Sequence, residues 1–239
     1  MKQISEKIKR LKDDINSTCA KTGRDPESIT LVVVTKSTTI DCIKKVIKLG
    51  MTDLGENRVQ QLKKVSTQVS EFLSQNTEDE SIPKKINWHM IGHLQRNKVR
   101  PALTMASLIH SVDTLRLAEE LNTAAGKLNL KPKILLQVNT SLEPQKYGVP
   151  VGAATHLAEQ FQTMSNLNLV GLMTMAPLTR NKDIAKACFS RARELFWEIK
   201  GERMVGPEFS ELSMGMSGDY IAAIEEGATI LRIGSAIFS

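Results

Sequence analysis

The sequence predicts a single α/β domain over residues 1–239, a (β/α)8 barrel of TIM type with one extra helix in front. Three observations carry this reading. Short apolar runs alternate with amphipathic segments about eight times in roughly 210 residues, and strict alternation implies a parallel sheet. The runs are near-continuous, as strands covered on both faces are. Neither a proline-rich linker nor a shift in composition marks a second domain. An open doubly wound sheet is the structural alternative.

The elements follow in order. Ile4, Ile8, Leu11, Ile15 and Cys19 form one apolar stripe on a leading helix, closed by "KTGRDP". "LVVVT" is the first strand. In "STTIDCIKKVIKLG", Thr38 and Asp41 make a capping box, Ile40, Ile43 and Ile47 form the stripe, and Gly50 stops the helix. "TDLGEN" is a strand with its loop, and "RVQQLKKVSTQVSEFL" a helix. "SQNTEDESIPKK" is polar and acidic, the segment composition marks as disordered. "INWHMIG" is a strand and "HLQRNKVRPAL" a helix or turn. "SLIHSVD" leads into the amphipathic "TLRLAEELNTAAGKLN". Then come "KILLQVN" (strand), "VGAATHLAEQFQTM" (helix), "LVGLMTM" (strand) and "DIAKACFSRARELFWEIK" (helix). "SELSMGMS" precedes "GDYIAAIEEG", and "ATILRIGSAIF" closes the chain.

Composition narrows the function. The 41% hydrophobic and 24% charged content is that of a globular protein, and no apolar run approaches the ~20 residues of a membrane span. The N-terminal stretch mixes charged and apolar residues, unlike a secretory signal. Cys19, Cys42 and Cys188 are odd in number and far apart, which suits a reducing cytosol and suggests neither disulfides nor zinc. A cytoplasmic location is expected. The net charge of +6 is scattered and aromatics are only 4%, so a basic surface fits better than nucleic-acid binding.

A barrel places its chemistry at the carboxyl ends of its strands. The polar residues there are Lys36, Asn57, His89 with His93, Asp113, Asn139, Met175, Ser217 and the "RIGS" of 232–235. At the barrel mouth, Lys36 is expected to be partly desolvated, which lowers its pKa and frees the amine for a carbonyl. The alternative is a lysine that ends the strand and reaches for water. Ser217 and Gly218 stand at a helix start, and Gly234 permits close backbone approach, so the last two loops suit a phosphate. The alternative is a plain cap and turn. His89 and His93 are four apart but Gly92 intervenes and position 90 is Met, so the helical zinc motif fails and no metal is expected. No P-loop, dinucleotide or serine-hydrolase motif occurs. Met173 and Met175 read as core.

The strings "VVVTKS", "GENRVQ", "WHMIGHLQRNK", "SVDT", "QVNTS", "GLMTMAP", "ELSMGMSGD" and "RIGSAIF" go further. From residue 4 to 238 the chain resembles the pyridoxal-phosphate homeostasis protein family, single-domain relatives of the alanine racemase barrel and of fold-type III. The resemblance implies pyridoxal 5'-phosphate (PLP) as cofactor, bound as a covalent aldimine to Lys36. Ser217, Gly234 and Ser235 match the phosphate-binding positions, Arg232 the arginine beside the pyridine nitrogen, Asn57 a position near the ring, and His89 a stretch lining the pocket. The family's usual "IFG-x-R" ending is "IFS" here.

PLP drives carbanion chemistry best with a protonated ring nitrogen, which a cationic Arg232 disfavours. Two-base racemization also needs a second base, which racemases take from a C-terminal domain that is not expected here. Neither Tyr147 nor Tyr220 is an obvious substitute. A non-catalytic protein that holds PLP as a Schiff base and supplies it within the cell is therefore favoured. A low-activity PLP-dependent racemase is the alternative, and a Schiff-base aldolase without cofactor a third. Apo PLP-dependent enzymes are the implied recipients, a monomer is expected, and neither nucleic acid nor membrane is a partner.

Overall fold

The computed structural model describes residues 2–179, 181–201 and 205–239. Helix α1 (Lys2–Thr22) leads, and strand β1 (Thr30–Val34) follows. Next come α2 (Ile40–Lys48), β2 (Asp53–Glu56), α3 (Val59–Ser74), β3 (Asn87–Met90), α4 (Val99–Leu103) and β4 (Leu108–Val112). The second half runs α5 (Leu115–Leu128), β5 (Lys133–Asn139), β6 (Val149–Pro150), α6 (Val151–Gln162), β7 (Asn168–Met173), α7 (Lys182–Gly201), β8 (Glu211–Ser213), α8 (Tyr220–Glu225), β9 (Ile230–Ile233) and α9 (Ser235–Phe238).

All strand pairs are parallel. They run β4-β3-β2-β1-β9-β8-β7-β5, and pairing of β4 with β5 closes the ring into an eight-stranded barrel. The predicted (β/α)8 barrel with a leading helix is therefore the observed fold. The ninth strand, β6, is two residues that extend the end of β5 at Val138 and Asn139, too short to leave a periodic signal.

Alternation along each strand separates two apolar regions. Outward residues such as Val33, Leu54 and Ile233 pack with the helices, where Phe161 and Phe189 are fully buried. Inward residues Val32, Leu108, Leu135, Val170, Met173 and Ile230 fill the barrel, and Met173 is core as expected. The interior also buries polar side chains, among them His89, His110, Gln137, Ser213 and Arg232. Helix α1 sets Ile8, Leu11, Ile15 and Cys19 against α8 and α9. Arg24 ties its end to the barrel by donating to the carbonyls of Ile224 and Ala228 at 2.8 and 2.7 Å.

Two local expectations are corrected. The cap of α2 is Thr39, not Thr38, its hydroxyl accepting from the Cys42 N–H at 3.4 Å. The acidic segment between α3 and β3 is a run of turns rather than a disordered loop. Ile82 is buried in the core, and Asp79 holds the N–H and hydroxyl of Ser81. One apolar anchor and one Asx turn outweigh a polar composition here.

Candidate functional site

Strands β9, β1 and β2 lie side by side, so the residues leaving their carboxyl ends meet at one mouth. Val32 pairs with Arg232 and Val33 with Ile233; on the other side Val34 pairs with Gly55. Lys36 thus stands beyond Val34, between Gly234 on one flank and Asn57 on the other. Gly234 lies against β1 closely enough that a Cβ would sit 3.1 Å from the Val34 carbonyl oxygen. Lys36 is exposed rather than partly desolvated. Its neighbour Thr35 takes the buried position, donating to Glu56 Oε1 at 2.5 Å, and the pleat turns the lysine the other way.

The loops after β8 and β9 bring Ser217, Gly234 and Ser235 together. The Ser217 hydroxyl accepts from the backbone N–H of Ala236 at 3.1 Å and of Gly234 at 3.4 Å. Ser217 is not at a helix start as expected. Asp219 holds the N-cap position of α8 with no side-chain cap bond, its carboxylate instead accepting from the Met216 N–H of the preceding turn at 2.6 Å, and Ser217 turns toward β9. Both N–H groups converge on the Ser217 oxygen, so this corner gathers backbone donors and a hydroxyl, the kinds of group that suit a phosphate.

Arg232 lies beneath this mouth, 4% exposed. It donates to Ser213 Oγ at 2.6 Å and to the Thr174 carbonyl at 2.8 Å. Burial lowers its pKa to about 10, opposed by Asp219, so it is cationic at neutral pH. Among the described residues two of its five donors have acceptors.

His89 is not with this group. It points along the barrel interior, its Nδ1 2.9 Å from His110 Nε2 and its Nε2 3.0 Å from Asp53 Oδ1. With Asp53, Asn87 and Lys133 it lines a cavity of about 530 Å³ at the amino ends of the strands, the opposite mouth. His89 faces inward on β3, where its ring is turned to His110 and Asp53 rather than to the carboxyl mouth. His93 is the histidine of the carboxyl mouth. Its Nδ1 is 3.3 Å from Asp113 Oδ2 and its ring stacks on Tyr147, centroids 4.3 Å apart. Tyr220 faces away, donating to Asp14 of α1 at 2.8 Å. No metal-ligating cluster occurs among the described residues.

Residues 30–239 match the family described as "Alanine racemase, N-terminal domain". The "Pyridoxal phosphate homeostasis protein" of Aquifex aeolicus is 34% identical over 233 residues, spanning 98% of this chain and 96% of its own. This chain belongs to the pyridoxal phosphate homeostasis protein family. The Pseudomonas aeruginosa member is 36% identical over 239 residues, covering 100% of this chain and 96% of that one. PipY of Synechococcus elongatus, solved with PLP bound, superposes with a TM-score of 0.81 at 32% identity, covering 99% and 100% of the two chains. Alanine racemase of Clostridium difficile shares the fold alone, at 13% identity and TM-score 0.70 over 55% of its length.

Proposed function

We propose that this protein binds PLP at the carboxyl mouth, holds it as a Schiff base on Lys36, and buffers and supplies it rather than turning over a substrate. The observation that carries the reading is the convergence of Lys36, the Ser217–Gly234–Ser235 cradle and the Arg232 fork at adjacent strand ends. The PLP-bound relative and the names of the full-length relatives support the same ligand. When bound, PLP supplies an aldehyde for the Lys36 amine and a ring that stores electrons. The protein's own part is to hold the phosphate with neutral donors and to offer the ring nitrogen a cation instead of an acid. That choice favours retention over carbanion chemistry. Asn57, which follows β2 next to Lys36, is the residue we assign to the neighbourhood of the ring.

The test is borohydride reduction of purified protein with PLP, followed by mapping of the modified residue. The expected label is on Lys36, and Lys36→Ala should lose the reducible absorption band. A label that persists on another lysine in this variant would demote Lys36.

A second reading, a weak racemase, is favoured by one feature. The His93–Asp113 pair with Tyr147 stacked on it places an acid–base group at the same mouth.

A further inference from the structure

We propose that Asp53, His89, His110 and Ser213 form a one-way hydrogen-bond relay through the barrel interior, which orients the Arg232 fork and couples it to the cavity at the opposite mouth. The contacts are continuous. Arg232 meets Ser213 Oγ at 2.6 Å, Ser213 Oγ lies 2.9 Å from His110 Nδ1, His110 Nε2 lies 2.9 Å from His89 Nδ1, and His89 Nε2 lies 3.0 Å from Asp53 Oδ1.

The direction follows from what each group can donate. Arginine only donates, so Ser213 accepts from it. At the other end Asp53 also receives Thr52 Oγ1 at 2.7 Å and Asn87 Nδ2 at 3.2 Å. Three donors converging on one carboxyl mark a carboxylate, so His89 must donate through Nε2. Burial would raise the Asp53 carboxyl, but donation by His89, Thr52 and Asn87 outweighs it and holds the group below its ordinary range. If the His89 ring carries one proton its Nδ1 is bare, which obliges His110 to donate through Nε2. His110 is left with a bare Nδ1 for the Ser213 hydroxyl. Each donor points from the Arg232 cation toward the Asp53 anion. The reverse order needs a second proton on His89 or one on Asp53, and it leaves the Ser213 hydrogen with no acceptor among the described residues. Complete burial, with His89 and the Arg232 charge alongside, pushes His110 well below its ordinary range and keeps it neutral. Asp53 thereby selects the tautomer of a ring that it does not touch, and through that ring the orientation of the serine that seats Arg232. The relay itself stands on geometry; its effect on PLP rests on the function proposed above.

Long-range proton–nitrogen NMR of the ligand-free, full-length protein at neutral pH reads the tautomers directly. Both rings are expected to carry hydrogen on Nε2 with Nδ1 bare. Asp53→Asn removes the anion that sets the direction, and His110 should change from one tautomer to a mixture. With PLP added, Asp53→Asn and Ser213→Ala should shift the ratio of the cofactor's absorption bands. Ser213→Ala should also weaken retention about tenfold, the scale of one lost charge-assisted bond. Ser107→Ala, in the wall of the same cavity, should change neither. A wild-type His110 carrying hydrogen on Nδ1, or one whose tautomer ignores Asp53→Asn, overturns the relay. Cofactor bands unmoved by both variants overturn the coupling to the site. A protein with the expected tautomers that takes up no PLP supports the relay and refutes the proposed function. Should Asp53→Asn fail to fold, the wild-type tautomers and Ser213→Ala still decide.

Discussion

Arg232 keeps its charge inside a barrel because the Thr174 carbonyl, Ser213 and the field of Asp219 offset part of its desolvation. His110 beside it shows the opposite response to burial, remaining neutral. Its folded-state proton affinity lies below its ordinary 6.5, so on acidification the unfolded chain takes the proton first. Its contribution to stability is complete above that value and shrinks as pH falls beneath it. Urea midpoints should therefore drop between about pH 7.5 and about pH 5.5, and less steeply in His110→Gln than in wild type. Parallel slopes in the two proteins would refute the assignment. At the cradle, Ser217 and Ser235 should each donate a charge-assisted bond to phosphate. Replacing both with Ala should weaken PLP retention at least about tenfold. Binding of pyridoxal without phosphate should stay as it was; equal loss for both ligands would indicate damage to the fold instead.

At the scale of elements, the barrel depends on strands that approach closely. Gly171 of β7 pairs with Glu211 of β8, and a Cβ there would lie 1.7 Å from the Glu211 carbonyl oxygen. Gly171→Ala must open this seam, and overpacking of that kind should destabilise by about 3 kcal/mol or more. Chemical denaturation checks it; a loss under about 1 kcal/mol would mean that the two strands can part without breaking the ring. The helices and strands were legible because their apolar runs carry clear periods, from Ile8–Cys19 on α1 to the continuous "KILLQVN" of β5. Local capping was less so. Thr38 and Thr39 are chemically equal, and only backbone geometry decides which one accepts from Cys42. The site split along the same line. Lys36, Gly234 and Ser217 follow strand ends and could be found by position alone. His110 and Ser213 lie within strands, where an inward and an outward residue look identical until β4, β8 and β9 are placed in register. The same holds for His89, whose inward course toward His110 shows only in the folded barrel.

The whole molecule has two mouths with different chemistry, and they meet at Arg232. Its carboxyl mouth gathers Lys36, the proposed phosphate cradle and the His93–Asp113 pair, while the amino mouth holds Asp53 over the cavity. No helix among the described residues is long and apolar enough to cross a membrane. Racemization at the carboxyl mouth would require a proton to leave one face of a bound amino acid and another to arrive on the opposite face. Tyr220 cannot serve, because burial and its bond to Asp14 raise its pKa to about 12 and turn it toward α1. In the proposed site Arg232, still cationic to about pH 10, would further oppose protonation of the ring nitrogen and so weaken the electron sink. The wild-type protein loaded with PLP should therefore show no deuterium exchange at the α-carbon of alanine beyond the free-cofactor rate. Arg232→Glu should raise exchange modestly and from one face, without interconverting L- and D-alanine. If the wild-type protein interconverts them readily, the carrier reading falls. Loss of that activity in His93→Gln would then assign the base to the pair at this mouth.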